Sequence, residues 1–312
     1  MRAHLALPCL VLCVAAGTAS AQSISQANEW LQELQDEVAD DVATGKPLVV
    51  HAHVPLCDNN IIRCGGHGLG DGDNPKTNLY WKTSGGFVGW FGRKGSGWKQ
   101  VHKARGDGDV LEVRVWKRTL APSKAIRKRS GKDNVDVYVI AYAWRGSAIR
   151  DAMDSFTRDL YGSEPTIVNL DDGTELSGGG DAHIVAFVGH NGWMDVDGYD
   201  FEAVAGSNKS RRKKGAIAVA CITEDYLAED VSAPDRVPLL MTRWLLFAGA
   251  HSFEGAVTAF ARGNDLASIR RTAVKNYAAG QGKSARRVSG AFTNPADDKW
   301  KKRPRSATTK RK

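Results

Sequence analysis

Five short apolar runs set the terms on which this chain can fold. Residues 48–54, 135–143, 184–188, 216–220 and 237–241 are rich in Val, Ile, Leu and Ala, with little polar alternation. Runs of that length read as strands buried on both faces, and such strands need helices to cover them. Helical patterns flank and separate the runs. Residues 25–43 place Ala27, Trp30, Leu31, Leu34 and Val38 on one face and stop at Gly45-Lys46-Pro47. After Gly146-Ser147, the residues Ile149, Met153, Phe156 and Leu160 share a face until Gly162, and residues 250–260 form a third helical stretch. The expectation is an α/β fold, a mostly parallel sheet with flanking helices. In such sheets, ligands bind beyond the carboxyl ends of the strands.

The two ends of the chain carry different signals. Arg2 and His4 precede an apolar stretch, residues 5–17, too short to span a bilayer, and Ala19-Ser20-Ala21 has the form of a cleavage site. Residues 1–21 are therefore expected to be a signal peptide and the product to be exported, periplasmic or secreted. No later segment is apolar and long enough for a transmembrane helix. The net charge of +8 is concentrated at the far end, where residues 283–312 hold eleven Lys or Arg against two Asp. That stretch is expected to be a disordered basic tail able to bind an anionic surface or polyanion through charge alone. No helix-turn-helix, zinc-finger or aromatic RNA-binding pattern accompanies it, so specific nucleic-acid recognition is not expected. Two internal basic clusters, residues 124–132 and 209–214, read as solvated loops. Between the ends, residues 22–282 are expected to form one domain.

Residues 58–118 interrupt the alternation. They are rich in Gly, Asn, Asp and Trp and read as an insertion of loops and a β-hairpin, with Arg105-Gly106-Asp107-Gly108-Asp109 as a turn before alternating Leu111, Val113 and Val115. Cys57 and Cys64 flank a short polar loop, and in an exported protein they are expected to form a disulfide. Cys9 and Cys13 lie in the signal segment, so Cys221 is left single.

The run at 184–188 ends in Gly189-His190-Asn191-Gly192, and the run at 216–220 ends in Ala220-Cys221. On neighbouring strands, an imidazole could take the thiol proton and leave the thiolate that attacks a carbonyl. The pair of motifs resembles the clan of cysteine peptidases that includes caspases, metacaspases, legumains and gingipains. In that clan a His-Gly ends one strand and an Ala-Cys or similar pair ends the next, on a caspase–hemoglobinase sheet. The resemblance covers residues 48–262, with the specificity in these two motifs. It implies His190 as general base, Cys221 as nucleophile, and the backbone N–H groups of Gly192 and Cys221 as oxyanion donors. Here Asn191 stands where the clan has glycine directly after histidine. The substrate implied is a peptide or protein. Asp195, Asp197 and Asp200 follow the histidine closely, and could orient its imidazole or form an acidic substrate pocket for a basic side chain.

Blander readings compete at each position. Gly-His-Asn-Gly is a good turn in its own right, and a buried cysteine is common. They combine into a rival: a non-catalytic exported binding protein on the same sheet, attached to an anionic surface by its basic tail. Trp81, Trp90 and Trp98 could serve as a ligand platform or as packing. His51, His53 and Asp58, with His67, could ligate a metal, but they complete no recognised zinc spacing. No metal and no cofactor is expected. The leading reading is the cysteine peptidase.

Overall fold

The computed structural model describes residues 18–207 and 212–294. The strands are β1 (Leu48–Pro55), β2 (Lys99–Arg105), β3 (Val110–Leu120), β4 (Val135–Trp144), β5 (Pro165–Asn169), β6 (Glu175–Gly179), β7 (Ile184–Val188), β8 (Lys214–Val219), β9 (Arg236–Thr242) and β10 (Phe292–Thr293). Eight of them form one sheet in the order β10-β9-β8-β7-β1-β4-β3-β2, and β5 and β6 form a separate hairpin. The pairs β4–β1, β1–β7, β7–β8 and β8–β9 are parallel; the β2–β3, β3–β4 and β9–β10 pairs are antiparallel. All five apolar runs therefore lie in one sheet, and the runs at 184–188 and 216–220 are adjacent and parallel.

Strand alternation splits the core into two layers. On one face Leu48, Val50, Ala52 and Val54 of β1 join Ile184, Ala186 and Val188 of β7 and Ile217 and Val219 of β8. Helices α1 (Thr18–Ala43), α7 (Ala250–Ala261) and α8 (Leu266–Gly280) cover that face. On the other face, Val185 and Phe187 meet Ala216, Ala218 and Ala220 beneath α4 (Ile149–Tyr161), α5 (Phe201–Ala205) and α6 (Glu224–Val231). Met153, Phe156 and Leu160 of α4 are all buried. Each such side chain contributes about 1.5–3 kcal/mol by leaving water. Gly162 ends α4 in the left-handed region, φ 75°, where its N–H closes onto Arg158 and Asp159.

The insertion is mostly packing. Trp81 and Trp116 are buried with Phe87 and Phe91 of the short α2 (Phe87–Phe91) and with Phe253 of α7. Trp98 is buried and donates to Glu254 at 3.1 Å, and Trp90 lies beneath the Arg93 guanidinium at 3.6 Å. Residues 105–109 make the β2–β3 turn, with Gly108 at φ 55°. Cys57 and Cys64 are disulfide-bonded, with Cα atoms 6.1 Å apart. Reduction should lower the unfolding free energy by about 2 kcal/mol, because the bond closes only a short loop in the unfolded chain. Denaturant unfolding with and without reductant measures this directly.

Three expectations need correction. Residues 124–132 are not a solvated loop: α3 (Lys124–Ser130) starts at Ser123, whose hydroxyl accepts from Ile126 N–H, and ends at left-handed Gly131. Ile126 is buried and Arg129 pairs with Asp36 and Asp40 of α1, so the helix docks through one apolar residue and a charge fork. The folded chain also continues past 282. After α9 (Ala285–Val288), β10 pairs with β9, Phe292 is fully buried, and Arg270 holds the carbonyls of Ser289 and Phe292. The part of the expected tail beyond Asn294 lies outside the described residues, as does most of the expected signal peptide.

The third correction concerns the basic cluster at 209–214, expected to be a solvated loop. Residues 209–211 lie outside the described residues, but Arg212 pairs with Asp41, Lys213 pairs with Glu33 at 2.8 Å, and Lys214 opens β8 fully buried. A parallel crossover returns the chain to the amino edge of the sheet before the next strand starts. Seven residues of strand rise, about 20 Å, therefore separate Lys214 from Cys221. Lys214, held down to about 8 by burial, cannot assist the Cys221 thiol across that distance. Among the described residues no helix is long and apolar enough to cross a membrane.

Candidate active site

Register sets the relation between His190 and Cys221. Val188, the last residue of β7, pairs with Val219, the last residue of β8. Two residues later on each strand come His190 and Cys221. They leave the sheet at the same level, on neighbours spaced about 4.8 Å apart. Both lie at the carboxyl edge. The following turns are tied together: the Asn191 side-chain amide donates to the Cys221 carbonyl at 2.5 Å, and its oxygen accepts from Trp193 N–H at 3.1 Å.

Two glycines in the histidine turn are required by close approach. A Cβ on Gly189 would sit 2.7 Å from the Pro55 carbonyl oxygen, and one on Gly192 would sit 2.5 Å from Met153 Sδ. Asn191 therefore serves as the tie to the Cys221 turn, while Gly192 takes the position that fits against α4.

His190 is buried, and its Nε2 lies 2.6 Å from Asp195 Oδ2. A carboxylate at Nε2 holds the proton there and leaves the lone pair on Nδ1, which is the arrangement a general base requires. Of the three aspartates singled out in the sequence, Asp195 thus orients the imidazole. Asp197 lines a neighbouring cavity. Asp200 does neither, because its carboxylate caps α5 by accepting from Ala203 N–H at 3.0 Å.

Cys221 is the one unpaired cysteine among the described residues, and it is partly exposed. Its thiol donates to the Leu246 carbonyl at 3.7 Å, and burial pushes its pKa above the usual thiol value. No hydrogen bond joins the His190 and Cys221 side chains. The backbone N–H groups of Gly192 and Cys221, the expected oxyanion donors, donate to no described residue.

Several neighbours carry no signal in the sequence. Tyr80 and Tyr277 reach the Cys221 neighbourhood from the insertion and from α8. Burial first, and the nearby sulfur second, push Tyr80 above the usual phenol range, and burial also raises Tyr277. Ile222 has φ 44°, a left-handed conformation that costs a β-branched residue about 1–3 kcal/mol. Its N–H bonds the Trp244 carbonyl at 3.1 Å, and Thr223 next to it bonds the Ala218 carbonyl and Thr242. The sharp turn after Cys221 is thus clamped from both sides.

His51 and His53 do not meet Asp58, which sits beyond β1 and accepts from Asn60 N–H. They point to one face of β1 and converge on buried Asp159 of α4, at 3.1 and 2.8 Å. The three groups lie within 4.8 Å of one another, close enough to hold a metal ion. The outer partner of His53 favours a proton instead. A ligating imidazole normally donates its second N–H. Here Trp144 Nε1–H, which can only donate, points at His53 Nδ1 at 3.2 Å. His53 must then carry its proton on Nε2 and donate it to Asp159. His51 turns one nitrogen, Nδ1, to both Asp159 and the Gly179 N–H at 2.9 Å, and its Nε2 is buried without a partner.

No protein-family model, curated protein or solved structure matches this chain.

Proposed function

We propose that this chain is an exported caspase-like cysteine peptidase in which Cys221 is the nucleophile and His190 the general base. The observation that carries the reading is the Val188–Val219 register, which brings both residues to the carboxyl edge at one level. Asp195 on His190 Nε2 supports it by leaving Nδ1 free to take a proton. The disulfide between Cys57 and Cys64 fits an oxidising compartment. The basic residues beyond 283 are the element that would hold the product on an anionic surface.

In this mechanism the thiol turns from the Leu246 carbonyl and gives its proton to His190 Nδ1. The sulfur adds to the scissile carbonyl carbon, and the oxyanion is received by the N–H groups of Gly192 and Cys221. The C–N bond breaks as His190 returns the proton to the departing amine. Water, deprotonated by His190, then adds to the thioester, and the S–C bond breaks to release the acid and restore the thiol.

The second reading, a non-catalytic binding protein, is favoured by one observation. The thiol rests on a carbonyl with a raised pKa, away from the imidazole. Acid quenching during incubation with a peptide mixture separates the two. A hydroxylamine-sensitive acyl group on Cys221 supports the peptidase; intact peptides and an unmodified Cys221 support the binder.

A further inference from the structure

A cavity of about 400 Å3 opens beside the candidate dyad, between the segment following His190 and the segment following Cys221. Trp193, Tyr199 and Tyr226 form its walls, strained Ile222 reaches it directly from the Cys221 turn, and the carboxylates of Asp197 and Asp225 stand exposed at its mouth. Trp193 stacks on Phe201 with ring centroids 6.0 Å apart and meets Tyr199 edge-on at 5.9 Å, so the aromatic floor is held rigidly.

Three features of this cavity ask for a ligand. Among the described residues, neither Asp197 nor Asp225 has a cation within ion-pair distance. Trp193 is only 3 % exposed, and its indole Nε1–H is buried without an acceptor. The volume, about 400 Å3, gives a whole long side chain room to enter. Aromatic faces and carboxylates together select a cation that also carries a methylene stem. Tyr199 already shows the preference: the Arg150 guanidinium lies over its ring at 4.8 Å, paired with Asp154 at 3.0 Å.

We infer that this cavity receives the side chain of a lysine or arginine next to the scissile bond, which makes the substrate a basic peptide. This rests on the peptidase reading, because Ile222 links the cavity to the thiol only if Cys221 is where the peptide is cut. Asp197 and Asp225 would be specificity-determining residues, acting on the bound side chain and not on the reacting atoms.

The test uses the full chain and two readouts. A peptide library digested by the wild type and sequenced at the cut sites should show Lys or Arg at one fixed position beside the cut. The double variant Asp197→Asn, Asp225→Asn should lose about tenfold or more in kcat/KM on those peptides. Its rate of Cys221 modification by iodoacetamide should match wild type, which shows that the fold and the thiol are intact. Cleavage without a basic preference, or a preference the double variant keeps, overturns the inference while leaving the peptidase reading in place. The second readout is agmatine binding measured by calorimetry, which needs no turnover. If no peptide is cut, agmatine bound by the wild type and not by the double variant keeps the cation pocket, and its failure to bind the wild type rejects it.

Discussion

Cys221→Ala is expected to lower peptide hydrolysis by about 10^4-fold or more while leaving the unfolding midpoint near the wild-type value. The loss is large because the sulfur forms the bond that divides one difficult step into two. The fold should tolerate the change because Cys221 is partly exposed and its contact to the Leu246 carbonyl is a long one. His190→Ala should cost nearly as much, and the double variant should be little worse than either single one, since the two groups act as a unit. Asp195→Ala should fall between wild type and His190→Ala, because the imidazole remains but is no longer held in one tautomer. Initial rates on a cleaved peptide, measured for all four variants at one pH, give the comparison. Equal rates in wild type and Cys221→Ala would assign the hydrolysis to a contaminant.

Asp159→Ala should destabilise the protein by about 3 kcal/mol at pH 7, because it leaves the buried His53 donor without its acceptor and opens a cavity beneath α4. Asp159→Asn should cost less, since the amide oxygen can still accept from His53. The pH dependence follows from two depressed pKa values. Burial holds His53 below its usual 6.5. Burial alone would raise Asp159, but the hydrogen bonds from His51 and His53 outweigh it and bring its pKa below the usual 3.8. A depressed folded-state pKa gives stability that is present above the unfolded value and lost on acidification. The His53 contribution should therefore begin to fall below about pH 6.5 and that of Asp159 below about pH 3.8. The variant keeps a His53 that burial depresses further, so the gap between wild type and Asp159→Ala should persist through mild acid and close only as Asp159 protonates below about pH 3.8. Chemical denaturation at several pH values measures it; a gap that closes between pH 7 and 5 would contradict the assigned charge states.

The sheet was legible because its strands are continuous apolar runs, and a run such as 184–188 is too short for a buried helix and too apolar for a loop. The same logic exposed His190 and Cys221, which lie where two such runs stop. What the sequence concealed has a physical pattern. Helix α3 is written mainly in Lys and Arg, with Ile126 its chief apolar anchor, so helical periodicity is absent and the cap at Ser123 is the signal that remains. Strand β10 is two residues long, and its place in the sheet depends on Arg270 holding nearby carbonyls, a contact between segments that no local pattern records. Asp159 looks like one more polar residue on the exposed side of α4, yet it faces inward because His51 and His53 wait beneath it. The roles of Asp195 and Asp200 differ only through the direction in which a turn presents them.

Peptidase chemistry in this chain requires that His190 activate Cys221, and the most direct measurement is the rate of Cys221 modification by a panel of peptidyl chloromethyl ketones. Wild type and His190→Ala are treated at pH 7 and the adduct is located by mass spectrometry. These reagents occupy the peptide site, so they report the engaged thiol rather than the resting one that leans on Leu246. The expected result is selective modification of Cys221 by at least one member of the panel, slowed about 100-fold or more in His190→Ala. Modification at one rate in both proteins, or an unreactive Cys221 in the folded wild type, would contradict it.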